Sequence, residues 1–428
     1  MGIRFRNMRI GGGEKSISLL VAFSLAYYPL VYSINEIVNR YIQRGAWWDS
    51  ALCAGIYFII VVMALPLVAR RQNLFSLIAF LFVTILFLVT SVSGSDGAVY
   101  ASSGLKTFIT TFFPFLFVGL AIRDFEDLDK TLNTISRIVI CASVIWIAII
   151  VFNVNRGIRV AYMGISYYVL PSCLLRTYYY FRDKGYANFI WMVISLLCHI
   201  IWGTRGPVLF SFIFVALCVL WNKQNKKGAV KKFIIISAII SVLYLNFFTI
   251  LNWANNIFLN MGIKNGGIIR LLSGTDLTDG RIDLVKKVLP YINDHFVFGG
   301  GIYCDRLLLD GYVHFLPIEL ICDFGVIGGI ILFVVLFGFI IKTVLAIKDF
   351  HDFRWAILWI AIIVGFAKLF LSGSYLEEPY FYFLIGLLVN KSMTINKQIE
   401  SNEFISESCV ETNEAVSEEV NNENIVGM

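Results

Sequence analysis

The chain has 428 residues, of which 58% are apolar and 15% charged, and its mean hydropathy is +0.77. One soluble core does not enclose that much apolar side chain, so a water-soluble globular domain is excluded and the bilayer is the expected solvent. The formal charge of +6 hides a split: the chain after Lys397 carries eight glutamates, Glu400 to Glu423, and no basic residue, so the rest has 35 basic against 21 acidic residues, a surplus of 14. Such a surplus sits in connecting loops and reports membrane orientation rather than nucleic-acid binding.

Crossing about 30 Å of hydrocarbon takes roughly 20 mostly apolar residues, and in lipid only helices or closed barrels satisfy every backbone group. The apolar runs here are continuous, whereas barrel strands alternate. The predicted fold class is therefore an all-α polytopic membrane protein of about 12 transmembrane helices, with one large extracytoplasmic loop carrying an amphipathic helix. The spans are predicted at 17–34, 51–69, 74–93, 107–122, 133–153, 160–181, 187–202, 207–221, 233–251, 316–341, 355–371 and 379–390. No small-x-small cleavage site follows the first, which is expected to be retained. Transmembrane helices 1 to 9 thus occupy 1–251, the large loop 252–315, and helices 10 to 12 316–390; the polar, Glu/Asn/Ser-rich stretch 391–428 reads as a disordered acidic cytoplasmic tail. No internal repeat suggests a transporter of inverted halves.

Orientation follows the basic residues of short loops. Arg4, Arg6, Arg9 and Lys15 precede the first span, Arg70 and Arg71 follow the second, Lys223, Lys226, Lys227, Lys231 and Lys232 follow the eighth, and Lys342, Lys348 and Arg354 follow the tenth. With alternating spans all of these lie on one side, which is cytoplasmic, together with both termini. Of eight cysteines, Cys141, Cys173, Cys198, Cys218 and Cys322 fall inside apolar runs, and the absence of CxxC spacing argues against a zinc or redox site. Cys304 is the only cysteine of the large loop, which excludes a disulfide within it.

Candidate chemistry collects on the opposite side. In Gly203-Thr204-Arg205-Gly206-Pro207, Pro207 suits the first turn of a helix. Arg205 then stands beside the positive helix end, where anions are favoured; the plain structural alternative is an arginine reaching for lipid headgroups. In the large loop, Thr278 or Asp279 caps a predicted amphipathic helix whose apolar positions are Ile282, Val285, Leu289, Ile292 and Phe296. Arg281 lies in its first turn, and two arginines at helix N-termini form a clamp for phosphate or pyrophosphate; a salt bridge to Asp279 or Asp283 is the structural alternative.

Gly299-Gly300-Gly301 marks flexible or closely approached backbone. Beyond it, Pro317 announces the tenth span, so His314 is near a helix N-terminus, which favours the neutral imidazole that a general base needs. Glu319 and Asp323 lie one turn apart on that helix and are expected to face the interior, as is Lys368 in span eleven, because charges facing lipid are costly. Asp127-Leu128-Asp129 imitates a metal-binding DxD, but its charged neighbours make it an ordinary solvated run. His199, His295 and His351 have no neighbours that build a metal site.

In order and placement these motifs resemble the superfamily of O-antigen ligases and O-antigen or capsular repeat-unit polymerases. Thr204-Arg205-Gly206 looks like the family's Ser-Arg-Gly turn. Gly280-Arg281, Phe298-Gly299-Gly300-Gly301 and His314 to Gly328 look like its glycine-arginine helix, its glycine-rich segment and its histidine block. Ser372 to Gly386, with Glu377, Glu378 and Pro379, looks like its closing segment. The likeness covers about residues 200 to 390; the first half matches in hydropathy alone. Two positions depart from the pattern: Phe315 follows the histidine where asparagine is common, and Thr204 replaces serine.

The resemblance implies a glycosyltransferase of the bacterial cytoplasmic (inner) membrane, inverting, without metal, nucleotide or other cofactor, using an undecaprenyl-pyrophosphate-linked glycan on the outer face. His314 would deprotonate the acceptor hydroxyl, Arg205 and Arg281 would bind the pyrophosphate, and Thr204, Glu319 and Lys368 would support them. Expected partners are membrane lipid and a chain-length regulator and flippase of the same pathway, with no nucleic acid. The favoured function is polymerisation of repeat units of O-antigen, capsule or exopolysaccharide. The alternatives are a ligase acting on lipid A core or another acceptor, and a transporter of lipid-linked glycan.

Overall fold

A computed structural model describes residues 15–26, 68–71, 74–92, 97–109, 113–152, 162–202, 204–221, 247–260, 269, 272, 281–309 and 311–394. Among these residues all regular structure is helical: α1 (Lys15–Ala26), α2 (Leu74–Val92), α3 (Ala98–Thr107), α4 (Phe113–Ala121), α5 (Phe125–Phe152), α6 (Tyr162–Asp183), α7 (Tyr186–Ile201), α8 (Arg205–Trp221), α9 (Phe247–Asn260), α10 (Arg281–Asp294), α11 (Cys304–Leu309), α12 (Leu316–Ala346), α13 (Phe353–Ala361) and α14 (Pro379–Val389). Three stretches are long and apolar enough to cross a membrane, Phe125–Ala148, Leu316–Ala346 and Phe353–Phe370. Of the expected spans, residues 27–34, 51–67 and 233–246 lie outside the described residues, as do the helix-capping residues Thr278 and Asp279 and the tail from 395.

Several boundaries differ from the hydropathy reading for local reasons. Helix α5 starts at Phe125 rather than 133, because the Asp124 carboxylate accepts from the amides of Glu126 (2.9 Å) and Asp127 (3.0 Å) and so caps it over the charged run. Of the expected span at 107–122, α4 covers Phe113–Ala121, and only Thr107 belongs to α3. The eleventh span changes pitch: α13 passes into a π turn at Ile362–Phe366 and a 3-10 turn at Ala367–Phe370. Residues 391–394 belong to the folded body rather than the tail, since Met393 is buried and the Asn390 side-chain amide donates to the carbonyls of Gly119 (3.1 Å) and Ile122 (2.7 Å).

The main core lies where α4 and α14 pack against α13 and its π turn, with α6 alongside. Gly119 and Gly386 let α4 and α14 meet backbone to backbone, as small residues do in helices without water between them: a Cβ on Gly386 would stand 2.2 Å from the Leu116 carbonyl oxygen. Helix α6 gives the bundle two ends. Arg182, near its C-terminus, pairs with Asp129 (2.5 Å) beside the packed rings of Tyr178, Tyr179, Phe350, Phe353 and Trp355. Asp129 of the apparent DxD is thus a structural ion-pair partner. Tyr167, near the N-terminus, is roughly 22 Å away along the helix axis.

At that other end α12 is interrupted. Gly325 has φ 73° and ψ 173°, breaking the helix after Phe324. The carbonyls of Cys322 and Asp323 are instead satisfied by the amides of Gly300 (2.8 Å) and Gly301 (3.1 Å), while the Val326 amide donates to the Phe296 carbonyl (2.9 Å). Gly299, at φ 71°, is pressed against this break: its Cβ would lie 2.4 Å from the Gly325 nitrogen. The glycine segment is therefore a fixed joint between the loop and α12. Helix α10 packs beside it, but on a face rotated from the expected stripe. Val288 and Ile292 are buried with Val285 partly so, whereas Ile282, Leu289 and Phe296 are exposed, because the pocket they fill is set by Cys304, Val313 and Cys322 rather than by the helix's own periodicity.

Gly325→Ala forces a side chain into a backbone conformation essentially confined to glycine, costing on the order of 1–3 kcal/mol, and into contact with Val297, so it is expected to lower the melting temperature of the detergent-solubilised protein. Gly338→Ala, further along α12 where a Cβ meets nothing within 4 Å, is expected to leave it unchanged or raise it; equal melting temperatures for the two variants contradict the joint.

Candidate functional site

The N-termini of α8 and α10 approach Tyr167, and that of α12 lies at the same end of the bundle, within the field of Arg281. Arg205 is the first residue of α8; its side chain lies outside the described part of the structure, but its neighbours fix where the turn sits. Thr204 donates to the Ser166 hydroxyl (2.5 Å), which in turn meets Nδ1 of buried His199 (3.0 Å). Gly206 touches the Tyr167 phenol so closely that a Cβ there would be 2.1 Å from its oxygen. Arg281 opens α10, half-buried, and Asp283 reaches Lys286 instead (3.5 Å, both exposed). His314 precedes α12, whose first turn is closed by Ile318 and Glu319 amides donating to the Phe315 carbonyl (3.1 Å each).

His314 is held in an unusual state. Its φ is +60°, a left-handed conformation that few non-glycine residues adopt and that persists only where surroundings enforce it. The enforcement comes from both sides, since the preceding Val313 amide donates to the Asp305 carboxylate (3.1 Å) and Tyr312 lies with its ring 4.0 Å from the imidazole. Nδ1 of His314 is buried with no hydrogen-bond partner among the described residues. Burial, then the guanidiniums of Arg281 and Arg306, push its pKa down from 6.5 to about 4, so at neutral pH the imidazole is uncharged.

Beneath Tyr312 lies Arg306, which the sequence reading missed. It binds Asp305 through two contacts (3.0 and 3.1 Å), reaches Glu377 (3.4 Å) and Glu319 (3.9 Å), and stacks over the rings of Tyr303 (5.2 Å) and Tyr312 (4.8 Å). Burial opposes its charge, but Asp305, Glu319 and Glu377 more than offset that and hold its pKa above the ordinary value. Glu319 and Asp323 face inward as expected. Glu319 accepts from the Ser374 hydroxyl and the Tyr375 amide, and Asp323 from the Tyr375 hydroxyl (2.6 Å). Lys368 pairs with Glu378, the residue that caps α14, and its ammonium stands 5.0 Å over the Tyr167 ring.

Tyr167 is the meeting point. It touches Gly206 and lies under Lys368, and the charges of Arg281 and Glu378 act on its hydroxyl. Arg281 acts on His314 as well. The fold thus gathers Thr204, the Arg205 backbone, Arg281, His314 and Lys368 at one end of the bundle, with Glu319 one layer deeper. Tyr167, His199 and Arg306 join them without any sequence signal that points to the site: Tyr167 is one of 20 tyrosines, and Arg306 belongs to none of the motifs named above. A cationic side chain at a helix N-terminus, Arg281, with Lys368 and a neutral imidazole at the same end, suits an anion beside a group that takes up a proton.

No family model and no curated protein matches this chain.

With four histidines in the chain, the imidazole signal lost in His314→Gln can be followed by NMR. It is expected to titrate with a midpoint of about 4, protonated only below it, and to move upward in Arg281→Gln; a midpoint at 6.5 in both proteins contradicts the burial and charge described here.

Proposed function

We infer that the protein is a polytopic membrane glycosyltransferase that polymerises undecaprenyl-pyrophosphate-linked repeat units on the outer face of the bacterial cytoplasmic membrane. The observation that carries this reading is the gathering of Arg281, Lys368, the backbone turn at Arg205 and a neutral histidine at the Tyr167 end of the bundle. The membrane assignment draws on the apolar helices and on the outward rows of Ile327, Ile330, Ile331, Val334 and Val335 on α12, an exposed apolar face that suits lipid. The twelve-span arrangement and the outward position of the site follow from the basic residues of the short loops.

In this reaction the acceptor hydroxyl attacks the anomeric carbon of the donor sugar. The carbon–oxygen bond to pyrophosphate breaks, with inversion, and the lipid pyrophosphate leaves. Arg281 and Arg205 bind the pyrophosphate and meet the charge that builds on it as the bond breaks, a stabilisation larger in the transition state than in the ground state. Lys368 and the Tyr167 hydroxyl complete that cradle. His314 takes the acceptor proton.

The electrostatics couple the two roles. In the empty site Arg281 and Arg306 add to burial in making His314 a weak base; a pyrophosphate bound at Arg281 cancels part of that field, so the imidazole becomes more basic when the donor is in place. The familial likeness in Thr204-Arg205-Gly206, Gly280-Arg281 and the His314 block agrees with this assignment and distinguishes it from a transporter, whose charged groups would line an internal path.

Purified protein given lipid-linked repeat units is expected to lose activity by about a hundredfold or more in Arg281→Ala and Arg205→Ala, with the same melting temperature as wild type. Full activity in both folded variants sinks the reading. Inorganic pyrophosphate is expected to raise the His314 midpoint in wild type and not in Arg281→Ala.

A further inference from the structure

Cys304 heads α11, and Cys322 lies in α12 just before the Gly325 break. Their sulfurs are 3.0 Å apart, and both side chains are buried with Val288, Ile292 and Val313. Cys304 also meets the Asp323 carboxylate (3.5 Å). Glycosyl transfer uses neither thiol, and the sulfurs are within about an ångström of a disulfide bond length. The 17 residues between them, 305 to 321, carry Asp305, Arg306, Tyr312 and His314.

We propose that Cys304 and Cys322 form a disulfide that staples the exit of the large loop to α12 and holds His314 in its left-handed conformation. This rests on the preceding reading in one respect, the outward position of the loop, because thiols facing the cytoplasm are kept reduced. The oxidant is the disulfide of a thiol–disulfide oxidoreductase acting while the loop folds, before the pair is buried. One cysteine thiolate attacks that disulfide and displaces one of its sulfurs as a thiolate, giving a mixed disulfide; the second cysteine thiolate then attacks the first cysteine's sulfur and displaces the other. Two electrons pass to the oxidoreductase, which leaves as a dithiol, and the two cysteine protons go to water or to its thiolates. The link closes the segment from Asp305 to Ile321, so the Asp305–Val313 contact that shapes His314 forms within an already short loop.

The test uses full-length protein from cells, with free thiols blocked by N-ethylmaleimide at lysis and digestion without reductant. A peptide joining Cys304 to Cys322, lost on reduction, is the expected result. N-ethylmaleimide on both residues, or either one joined to a different cysteine, overturns the proposal. Cys304→Ser, Cys322→Ser and the double variant are expected to lose activity to the same extent, several-fold, and wild type treated with reductant to fall to that level. Losses that add in the double variant, or activity unmoved by reductant, also count against the staple. An alkaline phosphatase fusion in the loop separates the two levels: an active fusion with both thiols free rejects the disulfide alone, and an inactive fusion rejects the orientation beneath it.

Discussion

The site depends on a broken helix. Helix α12 cannot continue through Gly325, and the carbonyls it abandons at Cys322 and Asp323 are taken by the amides of Gly300 and Gly301. An unpaired buried backbone carbonyl is costly anywhere and more so away from water, so this exchange fixes the loop on the helix. Everything chemical hangs from it. The turn after Gly301 leads into α11 with Asp305 and Arg306, Asp305 receives the Val313 amide, and the chain returns to α12 through the strained His314.

Charge is layered from that joint outward. The inner layer contains Arg306 among Asp305, Glu319 and Glu377, with the Ser374 hydroxyl and Tyr375 amide donating to Glu319 and the Tyr375 hydroxyl to Asp323. Buried ion pairs of this kind contribute little net stability, but removing one partner is costly, so the layer acts as a shaped support. The outer layer carries Arg281, Lys368 and the turn at Arg205 around Tyr167, where positive charge and helix ends face the same point. Burial and the arginines both disfavour the imidazole's cation, so His314 stays neutral well below the ordinary histidine range.

Much of this was legible in the sequence where the rules are local. Continuous apolar runs predicted α2, α6, α7, α8, α12 and α14 to within a few residues, because a helix in an apolar medium must be apolar along its length. Arg205, Arg281 and His314 were marked as helix-start residues by Pro207, the Thr278-Asp279 cap and Pro317. The Asp124 cap of α5 was missed, since a charged run masks a helix in hydropathy. Which residues of α10 are buried was not legible, because three- and four-residue spacing allows two neighbouring stripes, and only the loop residues Cys304 and Val313 decide between them. Tyr167, His199, Arg306 and the Cys304–Cys322 pair depend on contacts between distant segments, which no spacing rule encodes.

The central claim, that these residues form the centre of an outward-facing polymerase, is tested most directly by the surface glycan of a deletion strain complemented with wild type or with His314→Ala, the variant shown by immunoblot to reach the membrane. Long-chain polysaccharide with wild type, and single repeat units on the acceptor with His314→Ala, is the result expected. Long chains with His314→Ala at equal protein level would contradict the account, and loss of even the single repeat in the deletion strain would make the protein a ligase instead.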